Sequence, residues 1–120
     1  MTYENLEVYK LSHKFVLDIY KTVENFPKEE KYRLCDQLIR ASYSIPSNIA
    51  EGNSRNTSKD YVNFLYISRG SANEIKYFLL LSKDLGYIDI AKYEKLKNEI
   101  EIIIKMLSAL INSIKAKNEL

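Results

Sequence analysis

Apolar residues recur at helical spacing in four segments separated by short polar breaks. In the first, from about Asn5 to Asn25, Val8, Leu11, Phe15, Ile19 and Val23 fall on one face, which predicts an amphipathic helix. Phe26-Pro27 ends it, because a residue before proline avoids the helical region. The second segment, about Lys28 to Glu51, carries Leu34, Leu38, Ala41, Ile45 and Ile49 as its inward stripe. Pro46 deprives the Ser42 carbonyl of its donor, so a kink is expected, and Gly52 is expected to close the helix in the left-handed conformation. After a polar loop from Asn53 to Thr57, Thr57 or Ser58 is a good N-cap, with Asp60 near the positive helix end. The third helix then runs to Leu85 with Phe64, Ile67, Ser71, Ile75, Phe78 and Ser82 inward, and Gly86 caps it. Asp89 caps a fourth helix to about Lys115, with Leu96, Ile100, Ile103, Leu107, Leu110 and Ile114 inward.

Breaks this short make neighbouring helices antiparallel, so residues 1–120 are expected to form one all-α domain, an up-down-up-down four-helix bundle. Composition agrees. Three glycines and two prolines cannot serve the many turns of a β fold, and 46% hydrophobic residues suffice for a core. The stretch from Met1 to Lys10 is polar, unlike a secretory leader, and no apolar run approaches the ~18 residues of a membrane span. A cytoplasmic location with no membrane partner is expected. Cys35 is the single cysteine, which excludes an intrachain disulfide and a cysteine metal cluster.

Two of the helices carry more apolar surface than a bundle needs. Val62, Tyr66, Tyr77 and Leu80 lie opposite Phe64 and Ser71 on the third helix, and Tyr32, Ile39, Tyr43, Pro46 and Ala50 flank the core stripe of the second. Ten tyrosines is a high number, and tyrosine suits interfaces because one end is apolar and the other tolerates water. Tyr32, Ile39, Tyr43, Val62, Tyr66, Tyr77 and Leu80 are therefore candidate contacts between copies of the chain, although scattered surface tyrosines need no such explanation.

A polar stripe also runs beside the core. Gln37, Ser44, Asn48 and Glu51 share one side of the second helix with Arg40 near them, and Glu74 borders the apolar face of the third. A carboxylate there is costly unless paired, and Asn48 and Arg40 are its natural donors. Gly70, Ser71 and Ala72 are small in a row, which lets another helix come close. The cluster reads first as an interhelical network that fixes register, second as a binding site.

Known catalytic and metal patterns are missing. His13, the single histidine, lies on the solvent side of the first helix and follows no arginine, so neither a di-iron bundle nor an Arg-to-His ribonuclease motif is present. Phosphate-loop motifs are absent, and no metal or cofactor is implied. Cys35 sits at the edge of the core stripe without a histidine partner and reads as a structural thiol. Hydrolysis by Glu51 and Glu74 would need the two to converge in a pocket. The net charge of +2 is spread along the chain, so one subunit shows no strong basic face, although a ring of subunits could sum a weak field.

The central stretch resembles a known family. Phe26-Pro27, Glu30, Tyr32, Leu34, Gln37, Arg40-Ala41, the run Ser44-Ile45-Pro46-Ser47-Asn48-Ile49-Ala50-Glu51-Gly52, Arg55, Phe64-Leu65, Gly70-Ser71 and Glu74 are similar to the signature of bacterial four-helix-bundle proteins encoded in intervening sequences of 23S ribosomal RNA genes. The accessory variability determinant of diversity-generating retroelements is related to that family. The resemblance covers nearly the whole chain and implies a homopentameric ring with a nucleic-acid role. Where the family often has two arginines after the glutamine, this chain has Ile39 before Arg40, which points away from strong nucleic-acid binding. The expectation is a non-enzymatic pentameric bundle that binds structured RNA or a partner protein, RNA or DNA both being open as the nucleic acid, with Arg33, Arg40, Arg55, Lys59 and Arg69 as candidate phosphate contacts. The alternative is a protein-interaction scaffold or adaptor without nucleic acid.

Overall fold

The structure is a computed structural model that describes residues 2–120. Four α-helices follow one another: α1 (Glu7–Val23), α2 (Leu34–Asn53), α3 (Ser58–Asp84) and α4 (Ile90–Lys117). Single 3-10 turns, Tyr3–Asn5 and Lys28–Glu30, precede α1 and α2. No strand occurs among the described residues, and the bundle measures 47 × 23 × 21 Å.

Cross-helix contacts define how the helices lie. Gly52 of α2 lies against Phe64 of α3, Ile45 against Ser68, and Ser44 against Ser71. Along α3, Tyr66, Arg69, Lys76 and Lys83 meet Lys115, Ser108, Glu101 and Tyr93 of α4 in that order. The predicted stripes of α2 are buried throughout, as are Leu96, Ile100, Ile103 and Leu107 of α4. Leu110 and Ile114 pack against this core from its margin. In α1, Val8, Phe15 and Ile19 are buried, Ser12, Val16 and Thr22 join them, and Leu11 lies outside.

On α3 the inward face differs from the expected one. Val62, Leu65, Ser68, Ala72, Ile75, Leu79 and Ser82 are buried, whereas Ile67 is exposed and Phe64, Ser71 and Phe78 sit at the margin. The helix is rotated by roughly 80° from the stripe of its largest apolar residues, at 100° per residue. Small side chains explain the rotation. The Ser68 hydroxyl donates to the Ile45 carbonyl at 2.9 Å, and Ser44 and Ser71 join their hydroxyls at 2.9 Å. With Ser68 and Ala72 inward, α3 approaches α2 closely and leaves its bulkier residues outside. Val62, expected at an interface between copies, belongs to the core at 4% exposure.

Gly52 is not the predicted left-handed cap. It lies inside α2, which runs on to Asn53, and Gly86 alone among the glycines has a positive φ, at 80°. A Cβ on Gly52 would stand 2.8 Å from the Cβ of Phe64 and 3.0 Å from the ring of Tyr61. The residue serves helix contact, and a glycine near a helix end suits either contact or capping until the partner helix is placed. Thr57 and Asp89 do cap as expected, accepting from the Asp60 and Lys92 amides at 3.1 and 2.7 Å.

The start of α2 also lies later than the apolar pattern suggests. After the turn at Lys28–Glu30 the chain bends at Arg33 (φ −121°, ψ −105°) before α2 begins. Glu30 fills the gap: one carboxylate oxygen accepts from the Leu34 amide at 3.4 Å, the other from the Tyr87 hydroxyl at 2.8 Å. That bond pushes the Tyr87 phenol above its ordinary value, with burial adding to it. Tyr87 packs on Phe26, with ring centroids 5.2 Å apart, so the α1–α2 and α3–α4 connections are tied at one end of the bundle. α2 itself is continuous through the buried Pro46.

Nearby, α1 is tied to α4 by charge. Lys95 reaches Asp18 at 3.1 Å and Glu99 at 2.9 Å, and Lys92 stands 3.8 Å from Asp18. Burial works against the Asp18 charge, but the Lys95 hydrogen bond and the charges of Lys92, Lys95 and Lys14 outweigh it and hold the carboxyl below its ordinary range. Glu99 first, then Asp18, raise the Lys95 ammonium.

Two outcomes are expected in thermal and urea unfolding. Gly52→Ala forces α2 and α3 apart and lowers stability by roughly 1–3 kcal/mol, the usual cost of overpacking. Asp18→Asn costs under about 1 kcal/mol at neutral pH, because the site is solvent-screened. Since the native carboxyl titrates below the unfolded one, that contribution is present above the ordinary carboxylate value. It is lost as pH falls through the depressed native value, where wild type and Asp18→Asn should converge.

Candidate functional site

The polar stripe on α2 does face α3, but its bonds differ from those expected. Asn48 donates to the Ser44 carbonyl at 2.8 Å and to the Ser44 hydroxyl at 3.0 Å, and Ser44 meets Ser71. This Asn48–Ser44–Ser71 chain links α2 to α3, and every buried side-chain polar atom among the described residues has a partner. Glu74 stands outside it. It is exposed, and neither Asn48 nor Arg40 binds it, because Asn48 turns to its own helix and Arg40 to Asp36 at 3.8 Å. Glu51 is likewise engaged elsewhere, with Arg55 at 2.6 Å. Glu74 avoids the cost foreseen for it simply by lying in water, a consequence of the rotation of α3.

Gln37, Arg40, Tyr43, Ser44, Ser71 and Glu74 line an open cleft of about 400 Å³ between α2 and α3. Glu51 does not line it. By helical rise Glu51 lies level with Phe64, on the order of 15 Å along α3 from Glu74, so the two carboxylates do not form a catalytic pair. His13 is exposed on α1. Cys35 is buried, its thiol pushed up by burial and then by Glu30, with Sγ 3.9 Å from the Val23 carbonyl. Among the described residues no group of three or more His, Cys, Asp or Glu could hold a metal ion.

The five candidate phosphate contacts do not share one surface. Arg33 stands at the bend before α2, while Arg55 and Lys59 flank the α2–α3 loop at the far end of a helix about 30 Å long. Arg40 and Arg55 are paired with acids in their own helical turn, and the Arg55 guanidinium also covers the Phe64 ring at 4.7 Å. Arg69 has neutral partners: it donates to the Ser108 hydroxyl at 3.2 Å and lies 5.2 Å from the Tyr66 ring centre. Lys59 is exposed and makes no ion pair among the described residues.

Most of the candidate contacts between copies are open to solvent. Tyr32 is 83% exposed and Tyr77 59%, with Tyr43 and Leu80 also exposed and Ile39 half-buried. Tyr32 and Ile39 border a mainly apolar cleft with Val23, Phe26 and Cys35, on the α1 side of α2. Tyr66 is set apart from them by its partners, Arg69 on its ring and Lys115 donating to its hydroxyl at 3.3 Å. The sequence reading missed a third apolar area, where Leu11, Phe15, Ile102 and Ile103 line a groove of about 100 Å³ between α1 and α4. Spacing places Leu11 in the α1 stripe and leaves Ile102 outside the α4 stripe, and an apolar residue left outside a stripe is the sign of such a groove.

These placements predict unequal effects on stability. Asn48→Ala should cost about 1 kcal/mol, because it strips a bond from the partly buried seam, whereas Glu74→Ala should change unfolding by no more than about 0.5 kcal/mol. Comparable losses for both would show that Glu74 does join the network.

A solved crystal structure of a protein of unknown function, from the S23 ribosomal protein family of Bacteroides thetaiotaomicron VPI-5482, is 30% identical and superposes with a TM-score of 0.81. The match covers 88% of this chain and 95% of that one. No curated protein matches the chain. The model of the 23S rRNA-intervening sequence protein family matches residues 4–109, and the chain belongs to that family.

Proposed function

We propose that the protein is a non-enzymatic, antiparallel up-down-up-down bundle that assembles into a homopentameric ring and that the ring binds RNA. The observation that carries this reading is the pair of unlike apolar strips left in water. One comprises the half-buried Ile39 and the exposed Tyr43 on α2, with Tyr32 in the turn before it; the other comprises Tyr77 and Leu80 on α3. Large side chains aligned on helix faces mark interaction sites more often than isolated exposed ones do. Unlike strips on different helices suit contacts in which one face of a subunit meets the other face of the next.

The RNA role is supported by the family, whose description places its members in intervening sequences of 23S rRNA, and by the S23 ribosomal family of the structural relative. Its phosphate contacts would come from cations that are free of acids, Arg33, Lys59 and Arg69, rather than from Arg40 and Arg55. The pairing of those two with Asp36 and Glu51 favours a second reading, a protein-docking scaffold that uses the same ring without nucleic acid. No helix among the described residues is long and apolar enough to cross a membrane.

Light scattering behind size exclusion should give five times the monomer mass at micromolar concentration. Tyr43→Glu and Tyr77→Glu should each lower that mass while leaving helicity intact, and a monomeric wild type would overturn the assembly. RNA affinity should fall steeply with added salt. A stable complex with a protein partner, and no RNA binding, would favour the scaffold.

A further inference from the structure

From Tyr61 to Asn73 on α3, and from Ile102 to Asn118 on α4, the sequence contains no aspartate or glutamate. The contacts Tyr66–Lys115 and Arg69–Ser108 bring these two stretches side by side. Lys59, at the start of α3, projects on the same helical face as Tyr66, and Lys105 lies on α4 one turn from Ser108, at 100° per residue. Lys59, Arg69, Lys105 and Lys115 form no ion pair among the described residues. Cations outnumber acids over this area: the bordering acids are Asp60, beside Lys59, and Glu101, one turn from Lys105 and paired with Lys76 at 3.4 Å.

Two further features lie within this basic area. Tyr66 is 38% exposed and is held between two cations, the Arg69 guanidinium at 5.2 Å from its ring centre and the Lys115 ammonium at 3.3 Å from its hydroxyl. Gly70, one turn along, is exposed in the middle of a 27-residue helix, and a Cβ there would meet nothing within 4 Å. Glycine weakens a helix interior, and the fold gives this one no packing reason in return. A bare stretch of backbone beside an aromatic ring lets a flat or bulky partner lie close on the helix.

We propose that the α3/α4 face centred on Tyr66 and Gly70 is the surface that receives single-stranded RNA. A base stacks at the Tyr66 ring, and Lys59, Arg69, Lys105 and Lys115 take the flanking phosphates. This rests on the RNA reading above and assigns its location. It retains Lys59 and Arg69 from the sequence candidates, and adds Tyr66, Lys105 and Lys115. The chemistry is that of sequence-tolerant single-strand binding, in which a positive groove tracks the backbone and aromatic rings stack on bases. A second copy of the same face is a poor occupant, because it would bring like charges together. Tyr77 lies about 16 Å further along α3 by helical rise, so this face and the proposed contact between copies are separate areas.

Fluorescence anisotropy with a short fluorescein-labelled single-stranded RNA of mixed sequence tests this on the full-length protein, with oligomeric mass monitored throughout. Tyr66→Ala should weaken binding roughly ten-fold or more, within the range of one lost stacking contact, and Tyr66→Phe should retain it. Removing Arg69 and Lys115 together should lower the slope of log affinity against log salt by about 0.7 per cation. Gly70→Ala should raise the melting temperature while weakening binding, a combination that damage to the fold cannot produce. Salt-dependent binding by the wild type that all these variants preserve would overturn this face and leave the RNA reading standing. No binding by the wild type would overturn both. A fall in oligomeric mass with Tyr66→Ala or Gly70→Ala would assign the face to contact between copies and overturn the proposal.

Discussion

The arrangement of this bundle follows from how closely α2 and α3 can approach. Gly52 admits Phe64 and Tyr61, the Ser68 hydroxyl reaches the Ile45 carbonyl, and Ser44 meets Ser71. Each contact needs a residue with little or no side chain, and hydroxyls at these positions also satisfy one another at short range. Dispersion gains come from close approach, and a hydrogen-bonded serine pair adds direction that an alanine pair lacks. The rotation of α3 follows from the seam, and from that rotation follow the exposure of Ile67 and the release of Glu74 into solvent.

The remaining ties are peripheral and polar. Glu30 joins the start of α2 to Tyr87 at one end, and Asp18 with Lys92 and Lys95 joins α1 to α4 along the side. Partly exposed pairs of this kind contribute little energy each. Their value lies in orientation, since they hold α1 and the connecting turns against a core whose close packing is elsewhere.

Periodicity was sufficient to read four helices, their caps at Thr57, Gly86 and Asp89, and the whole inward stripe of α2. It failed on α3 because hydrophobic patterning assumes that the largest apolar residues point inward. A close helix pair reverses that rule, placing Ser68 and Ala72 inside and Ile67 outside. The same blindness to the partner helix made Gly52 look like a cap and Val62 like a surface residue. Of the polar cluster, the chain from Asn48 through Ser44 was legible as a stripe, while the partners of Glu51 and Arg40 were local acids and bases one turn away. Lys115 could not be associated with Tyr66 from sequence, because 49 residues separate them and only the α3–α4 packing brings them together.

The seam has a geometric consequence beyond stability. The α2 strip and the α3 strip are carried by the two helices that it locks, so the angle between the strips is fixed by side chains as small as glycine and serine. In a head-to-tail assembly that angle sets the rotation from one subunit to the next, and hence whether the series closes and after how many members. A methyl group added at Gly52 would then act on symmetry as well as on packing, and could turn a closed ring into an open spiral without touching any residue at the contact between subunits.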